Sequence, residues 1–497
     1  MSGAGAAAGA PSIEPGGPRE STWHPTDQFI GGAWVPSHGT ERIDVVDPAT
    51  GEAWASVPAG DAADVDAAVQ AARAAFVEGP WARMRPSERA AVLLRFADEV
   101  EARADELSAT NTRENGSPVA ESGGAAANAA GILSYYASLA GHLEQEDVRE
   151  FPNGSGRSVV RRDPLGVCAL IAPWNFPINL VVIKLAPALL AGNSVVIKPA
   201  SPTPLSIRHI VLAAAAAGVP DGVVNLITGP GRMGDVLVKH PLVNKVAFTG
   251  STEVGRRIAA ACGELLRPVT LELGGKSAAI LLDDVDLDAF AEVFVRSSMR
   301  NTGQTCYIST RILAPESRYE EIVARITEVV ESSPQGDPFD PSTVFGPVAN
   351  RPQYESVLEH LESARAEGAR FATGGEPLPG PGFFVAPTVL ADVTPGMRVA
   401  REEIFGPVVT VQRYSTEDEA IELANSTPFG LGGIVFSADP DRAFAVAEQV
   451  DSGSVGVNFF ASNHAAPFGG RHDSGLGVEY GIEGLEQYVS YKSIHRK

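Results

Sequence analysis

A chain of 497 residues is too long for one hydrophobic core and predicts two or three compact units. Its 44% hydrophobic and 20% charged content is that of an ordinary globular protein, and its net charge of -22 argues against nucleic-acid and anionic-membrane partners, which repel an acidic surface. Three cysteines, Cys168, Cys262 and Cys306, cannot all pair with one another, so a reducing, cytoplasmic setting is expected.

The first residues, Met1–Glu20, are mostly Gly, Ala, Pro and Ser, without the basic start and apolar centre of a secretory signal. They read as a disordered tail. Nowhere does the chain approach the roughly 18 consecutive apolar residues of a spanning helix. From Asp64 to Gly79, Val65, Val69, Ala72 and Phe76 recur at helical spacing. Ser87 is placed to cap a second, long helix that carries Leu93, Phe96, Val100 and Leu107 on one face and ends near Asn115-Gly116. Between Glu144 and Arg162 the sequence is polar, with Asn153-Gly154 centred between two possible strands, a hairpin signal.

From residue 165 short β-rich runs alternate with longer helical ones. The strands expected are Val167–Ile171, Ser194–Ile197, Val223–Ile227 and Lys245–Phe248, and the helices Ile178–Leu190, Pro204–Ala217 and Met233–His240. Strand, helix, strand at this rhythm means βαβ crossovers over a parallel sheet, which binds ligands beyond the carboxyl ends of its strands. The rhythm restarts after Gly274-Gly275 with strand Ser277–Leu282, helix Asp288–Arg300 and strand Thr310–Ala314, and continues through strand Val408–Tyr414 to helix Asp441–Val450. The expectation is therefore an α/β protein of two doubly wound parallel-sheet halves with a hinge near 274 and a cleft between them. The C-terminal stretch Tyr488–Ile494 alternates weakly and could form a terminal strand.

Several residues at strand ends and in loops could carry chemistry. Asn175, in a loop pinned by Pro173 and Pro177, could donate to a developing oxyanion, although a lone Asn more often satisfies its own loop. Lys198, at the end of its strand, could meet a ribose or phosphate, although one alone is more often solvated. Gly250 and Ser251 open a helix that includes Gly255, and the helix N-terminus could hold a pyrophosphate. A full glycine fingerprint at Gly229-Pro230-Gly231-Arg232-Met233-Gly234 is poorly suited to that task, because Pro230 removes an amide N–H and this is not the first βα turn of the sheet. Gly231 is instead expected to flank the adenine. Glu272, between leucines and before two glycines, is half-buried by its context and suited to general-base work. Cys168 and Cys262 lie in apolar periodic runs, as inert core cysteines do. Cys306 lies in a Gly-containing loop, which moves it towards the reactive class. No His/Cys cluster has metal-ligand spacing, so no catalytic metal is expected.

Six motifs occur in order: Pro173-Trp174-Asn175-Phe176-Pro177, Phe248-Thr249-Gly250-Ser251, Leu271-Glu272-Leu273-Gly274-Gly275-Lys276, Gly303-Gln304-Thr305-Cys306, Glu402-Glu403-Ile404-Phe405-Gly406-Pro407 and Pro467-Phe468-Gly469-Gly470. With these the chain resembles the aldehyde dehydrogenase superfamily over residues 25–495. The resemblance implies a dinucleotide-binding domain (21–141 and 163–274), a catalytic domain (275–478) and a protruding β oligomerisation arm (142–162 and 479–497), in a homodimer or homotetramer. It implies NAD or NADP as cofactor and a small-molecule aldehyde as partner. Cys306 would be the nucleophile, Glu272 the base, and Asn175 with the Cys306 backbone N–H the oxyanion hole. Trp174, Lys198, Ser201, Gly231, Gly250, Ser251, Gly255, Gln353, Glu403 and Phe405 would surround the cofactor.

Two positions depart from the family pattern. Ser201 stands where many NAD-preferring members carry a Glu that holds both ribose hydroxyls, which leaves the NAD/NADP choice open. Arg471-His472-Asp473 stands where an aromatic and a Lys are common. The expected substrate pocket, Phe176, Leu180, Ile183, Tyr307, Phe459 and Phe468, is apolar with no Arg to grip an acidic semialdehyde, so a neutral, medium-sized aldehyde is expected. Two alternatives stay open. An acylating relative would pass the thioester to coenzyme A, and such relatives generally lack the Glu found here at 272. A non-catalytic protein of the same fold would tend to lose the nucleophile or base, and this chain keeps both.

Overall fold

The structure, a computed structural model, describes His24 and residues 26–497. The expected tail, Met1–Glu20, lies outside the described residues. Strands are numbered in chain order. β1 (Asp27–Ile30) and β2 (Ala33–Pro36) form one hairpin, and β3 (Arg42–Asp47) and β4 (Glu52–Pro58) another. β5 (Asp147–Glu150) and β6 (Arg157–Pro164) precede β7 (Val167–Ile171), β8 (Ser194–Lys198), β9 (Val224–Leu226), β10 (Lys245–Thr249) and β11 (Val269–Glu272). The later strands are β12 (Ala278–Leu281), β13 (Arg311–Pro315), β14 (Arg370–Thr373), β15 (Thr388–Ala391), β16 (Val408–Tyr414), β17 (Phe429–Gly430), β18 (Gly432–Phe436), β19 (Ser454–Val457), β20 (Arg471–His472), β21 (Gly475–Leu476) and β22 (Val489–Arg496).

Two large sheets carry the fold. The first has eight strands in the order β2-β1-β9-β8-β7-β10-β11-β21, with β9, β8, β7, β10 and β11 parallel and antiparallel strands at both margins. The second has seven, β14-β15-β16-β13-β12-β18-β19, all parallel save β14. Every residue of β7, β8 and β10 is buried, as a sheet covered on both faces requires. Alternate residues of one strand serve opposite cores. Cys168 and Leu170 of β7 join the helices Pro86–Glu101, Ala125–Ser138 and Pro177–Ala191. Val167, Ala169 and Ile171 join the helices Ala62–Val77, Gly231–Lys239 and Thr252–Glu264. The second sheet does the same, with Ala279 and Leu281 of β12 on one side and Ala278 and Ile280 on the other.

Some local expectations are corrected. Ser87 is not a cap: Pro86 takes the first helical position after Arg85, and the Arg85 N–H is received by Glu88 at 2.8 Å. The single helix expected up to Asn115 is two, Pro86–Glu101 and Ala104–Asn115, broken at Ala102-Arg103 in a charged stretch with no large apolar side chain to hold the helical phase. Gly116, at φ 79, does end the second. Around Asn153-Gly154 the chain does form a hairpin, and β22 pairs along β6 over eight residues, giving a separate sheet β22-β6-β5.

The parallel register brings strand ends together. Ile171 pairs with Lys198 and with Phe248, and Thr249 with Glu272, so the loops carrying Asn175, Lys198, Gly250 and Glu272 leave one edge of the first sheet. Cys306 and Glu403 lie in the segments entering the neighbouring parallel strands β13 and β16 of the second.

Candidate active site

The Cys306 loop is built from unusual backbone. Asn301, Thr302 and Gly303 have φ of 53, 56 and 75, a left-handed run that side chains other than glycine resist. Cross-loop hydrogen bonds hold it: the Gln304 side chain receives the Ala349 N–H at 2.9 Å, and Thr302 receives the Gly346 N–H at 3.0 Å. Gly303 is required by space, since a Cβ there would lie 1.8 Å from the Gly406 carbonyl oxygen. Gly275, crossing from β11 to β12, is required for the same reason, with a Cβ meeting the Cys306 carbonyl oxygen at 2.6 Å. The two glycine-bearing motifs therefore pack directly on the loop of the third.

Asn175 is buried and donates from Nδ2 to the Gln304 carbonyl at 2.9 Å, which fixes its amide beside the Cys306 loop. Asn115 and Asn301 donate to the Asn175 carbonyl at 3.3 and 3.1 Å, and Asn115 also to that of Trp174. Neither Asn115 nor Asn301 was legible as part of the site, because their partners are 60 and 126 residues away.

Glu272 is buried at the end of β11, and both carboxylate oxygens lack a hydrogen-bond partner in the structure. Burial raises its carboxyl well above the usual range; the charge of Glu479 adds to this, and Lys184 opposes it. Lys184 forms a buried ion pair with Glu479 at 2.6 Å and donates to the Thr249 hydroxyl at 2.6 Å. That network escaped sequence reading, since Lys184 sits within an apolar helix and Glu479 is 295 residues away. The half-buried Cys306 thiol is held well above its ordinary value, by burial first and by Glu403 and Glu272 next. The environment therefore favours a protonated thiol, not the ready thiolate its loop context alone suggests.

The expected cofactor residues fall into two groups. Lys198 is 5% exposed, its Nζ donates to the Pro199 carbonyl at 3.2 Å, and burial lowers its pKa to about 8. Ser201 donates to the Gly229 carbonyl at 3.1 Å, which brings the Gly229–Gly234 loop beside it. Gly231 opens the helix Gly231–Lys239 with free space where its Cβ would be. Ser251 caps the helix Thr252–Glu264, accepting from Val254, while Gly255 is buried where a Cβ would strike Leu273 at 2.5 Å. Gly255 therefore sets the helix–sheet spacing.

In the second group Glu403 accepts the Gly275 N–H at 3.1 Å, and burial raises its carboxyl to about 7. Phe405, at φ 56, sets its ring edge-on to Trp174 at 5.3 Å. Gln353 donates to the Ile404 and Phe405 carbonyls at 2.9 and 3.1 Å, so it supports that loop through its backbone.

Of the expected pocket, Phe176, Leu180, Tyr307 and Phe468 are half-buried. Ile183 is closed into the first core, and Phe459 is 67% exposed. Phe460, its neighbour, is the one that stacks on Tyr307, at 5.0 Å. One Arg does stand beside these residues, already paired with a carboxylate. Arg300 donates to the Tyr307 hydroxyl at 2.5 Å and stands over the Phe176 ring at 5.2 Å, paired with Glu121.

The segment Arg471-His472-Asp473 now has a structural role. Arg471 and His472 both pair with Asp451, at 2.7 and 2.6 Å, and Asp473 pairs with Arg256 at 2.6 Å. Ser474 donates to the Gly274 carbonyl at 2.7 Å, tying this segment to the turn between the two sheets. Among the described residues, His38, Asp61 and Asp64 cluster at metal-ligand distances. Their oxygens are engaged as caps, Asp61 receiving Ala63 and Asp64 N–H groups and Asp64 receiving Ser37, His38 and Asp61. No described helix is long and apolar enough to cross a membrane.

A half-buried thiol, Cys306, and a buried carboxyl, Glu272, thus act on each other electrostatically beside the strand ends of a parallel α/β sheet. The model of the aldehyde dehydrogenase family matches residues 34–494, and the chain belongs to that family of NAD(P)-dependent enzymes. It is 47% identical to geranial dehydrogenase of Castellaniella defragrans, over 94% of this chain and 98% of that one. The crystal structure of a Mycobacterium tuberculosis aldehyde dehydrogenase complexed with NAD+ superposes with a TM-score of 0.92 at 42% identity, covering 94% of this chain and 97% of that chain. A Pseudomonas syringae aldehyde dehydrogenase complexed with NAD+ and octanal gives a TM-score of 0.91 at 37% identity, covering 95% and 96%.

Proposed function

We propose that this chain oxidises neutral, medium-sized aldehydes to carboxylic acids, with Cys306 as nucleophile, Glu272 as base and Asn175 as oxyanion donor. The observation that carries the proposal is Glu272: a buried carboxyl, no hydrogen-bond partner on either oxygen, acting electrostatically on the Cys306 thiol. Such a group is free to take a proton first from the thiol and later from water.

The residues fit a dinucleotide. Among the described residues Lys198 is a buried cation with no carboxylate paired to it, and Ser251 opens a helix whose N-terminal amides suit a pyrophosphate. Lys198, Ser201, Gly250 and Ser251 would hold the adenosine and pyrophosphate, while Glu403, Phe405 and Trp174 would meet the nicotinamide riboside. When bound, the nicotinamide supplies the hydride acceptor. Cys306 attack on the aldehyde carbon gives a tetrahedral thiohemiacetal, whose oxyanion Asn175 Nδ2 and the Cys306 N–H stabilise. Covalent attachment fixes the carbon in position for oxidation to a thioester. Glu272 then activates water, and the acid leaves. The retained Glu272 favours water over coenzyme A as acceptor.

The relatives named for geranial and bound to octanal act on or hold neutral aldehydes, in keeping with the aromatic wall of Phe176, Phe460 and Phe468. Ser201 in place of a carboxylate supports use of both NAD and NADP. We assign 21–141 with 163–274 to cofactor binding and 275–478 to catalysis. We assign 142–162 with 479–497 to assembly of a dimer or tetramer, in the cytoplasm. The test is reduced-cofactor absorbance with hexanal and either NAD or NADP. Turnover with both is expected, together with hexanoate as product whether or not coenzyme A is present. A coenzyme A thioester as product would overturn the assignment of Glu272.

A further inference from the structure

Arg300 occupies a specific place relative to the reacting groups. Its guanidinium lies over Phe176, the residue after Asn175, and donates to the hydroxyl of Tyr307, the residue after Cys306. It therefore bridges the residues that follow the proposed oxyanion donor and nucleophile. Phe460 stacked on Tyr307 and Phe468 edge-on to it at 6.1 Å complete that wall.

An arginine cannot lose its proton in a protein, so a guanidinium beside an apolar wall must be balanced by an anion. Here the anion is Glu121: Arg300 Nε donates to its carboxylate at 2.9 Å, and Nη2 contacts the same oxygen. The side chains are 28% and 25% exposed, so they are only partly screened by water. An anionic aldehyde tail approaching Arg300 meets a cation already paired and a carboxylate that repels it. A cationic tail approaching Glu121 meets the reverse.

We propose that the Glu121–Arg300 pair is a charge-balanced specificity determinant that restricts this site to aldehydes with uncharged chains. This rests on the reading of Cys306 and the aldehyde pocket given above. Removing one partner unmasks the other. Glu121→Gln exposes a cation to ω-carboxylate aldehydes, and Arg300→Met exposes an anion to ω-ammonium aldehydes. The two substitutions together restore balance.

The experiment compares kcat/KM for three probes of matched length: hexanal, adipate semialdehyde and a trimethylammonium-terminated pentanal. Wild type is expected to favour hexanal over both charged probes by about tenfold or more. In Glu121→Gln the ratio of anionic to neutral probe rises by about tenfold or more. In Arg300→Met the ratio of cationic to neutral probe rises similarly, and the double variant returns towards wild type. Unmoved ratios in both single variants overturn the proposal, as does a double variant that keeps the altered preference. The wild-type ratios stand as a test even if a variant fails to fold, because a wild-type preference for either charged probe also overturns it. Absence of wild-type turnover on every probe would instead overturn the reading of Cys306 on which the proposal rests.

Discussion

An oxyanion donor works only if its N–H is held in place before charge develops, and Asn175 meets that condition through a chain of amides. Its Nδ2 is fixed by the Gln304 carbonyl, and its own carbonyl is held by Asn115 and Asn301. One amide hydrogen is engaged, and in the proposed role the other would meet the substrate. Asn175→Ala is expected to lower kcat about 100–1,000-fold with little change in the cofactor KM, read by steady-state kinetics. Near-normal turnover would contradict the role. The raised values of Glu272 and Cys306 set the direction of the pH profile. Glu272 must already be ionised to take the Cys306 proton, so kcat/KM rises with pH, with its midpoint above the ordinary carboxylate range. A profile flat down to about pH 5 would contradict this. At this scale, residues in contiguous motifs, such as Glu272 and Cys306, were legible from sequence. Lys184 with Glu479 and Glu121 with Arg300 were not, because each is an ion pair closed by the fold across 295 and 179 residues.

Elements with unbroken buried runs, β7 and β8 among them, were readable to within a residue. Two-sided burial leaves no polar alternation to confuse them. The hairpins β1–β2 and β3–β4 were missed, since their short strands mix exposed and half-buried positions. Contacts between helices were equally hidden. Glu114, fully buried near the end of the helix Ala104–Asn115, accepts the Leu205 and Ser206 N–H groups at 2.7 and 3.0 Å, capping the helix Leu205–Ala216. Burial raises its carboxyl to about 7 from 4.5. The folded state thus holds this proton more tightly than the unfolded chain. Its stabilisation is complete below about pH 4.5 and is lost as pH rises through about 7, a change of up to about 3 kcal/mol. Wild type should therefore lose thermal stability relative to Glu114→Gln between about pH 5 and about pH 8 in paired melting scans. A difference that stays constant would contradict the shift.

Across the whole molecule, the site exists because the strand ends of one sheet meet the loops entering another. The glycines at 274 and 275 allow the close crossing. The rhythm of strands and helices made two α/β halves legible, while the β22-β6-β5 sheet was only hinted at by Asn153-Gly154 and a weakly alternating tail. That small sheet has open edges and exposes Val148, Phe151, Tyr491 and Ile494, a surface that calls for a partner. Removing residues 489–497 should give a smaller assembly by light scattering, and an unchanged mass would contradict the assignment of the arm. In the proposed mechanism one thiol carries the acyl group and Glu272 releases it. Glu272→Gln, incubated with hexanal and oxidised cofactor long enough for the slowed attack to finish, should accumulate a hexanoyl thioester on the peptide containing Cys306, found by mass spectrometry of the digested protein. An acyl group on Cys168 or Cys262, or steady release of hexanoate with Cys306 unmodified, would contradict it.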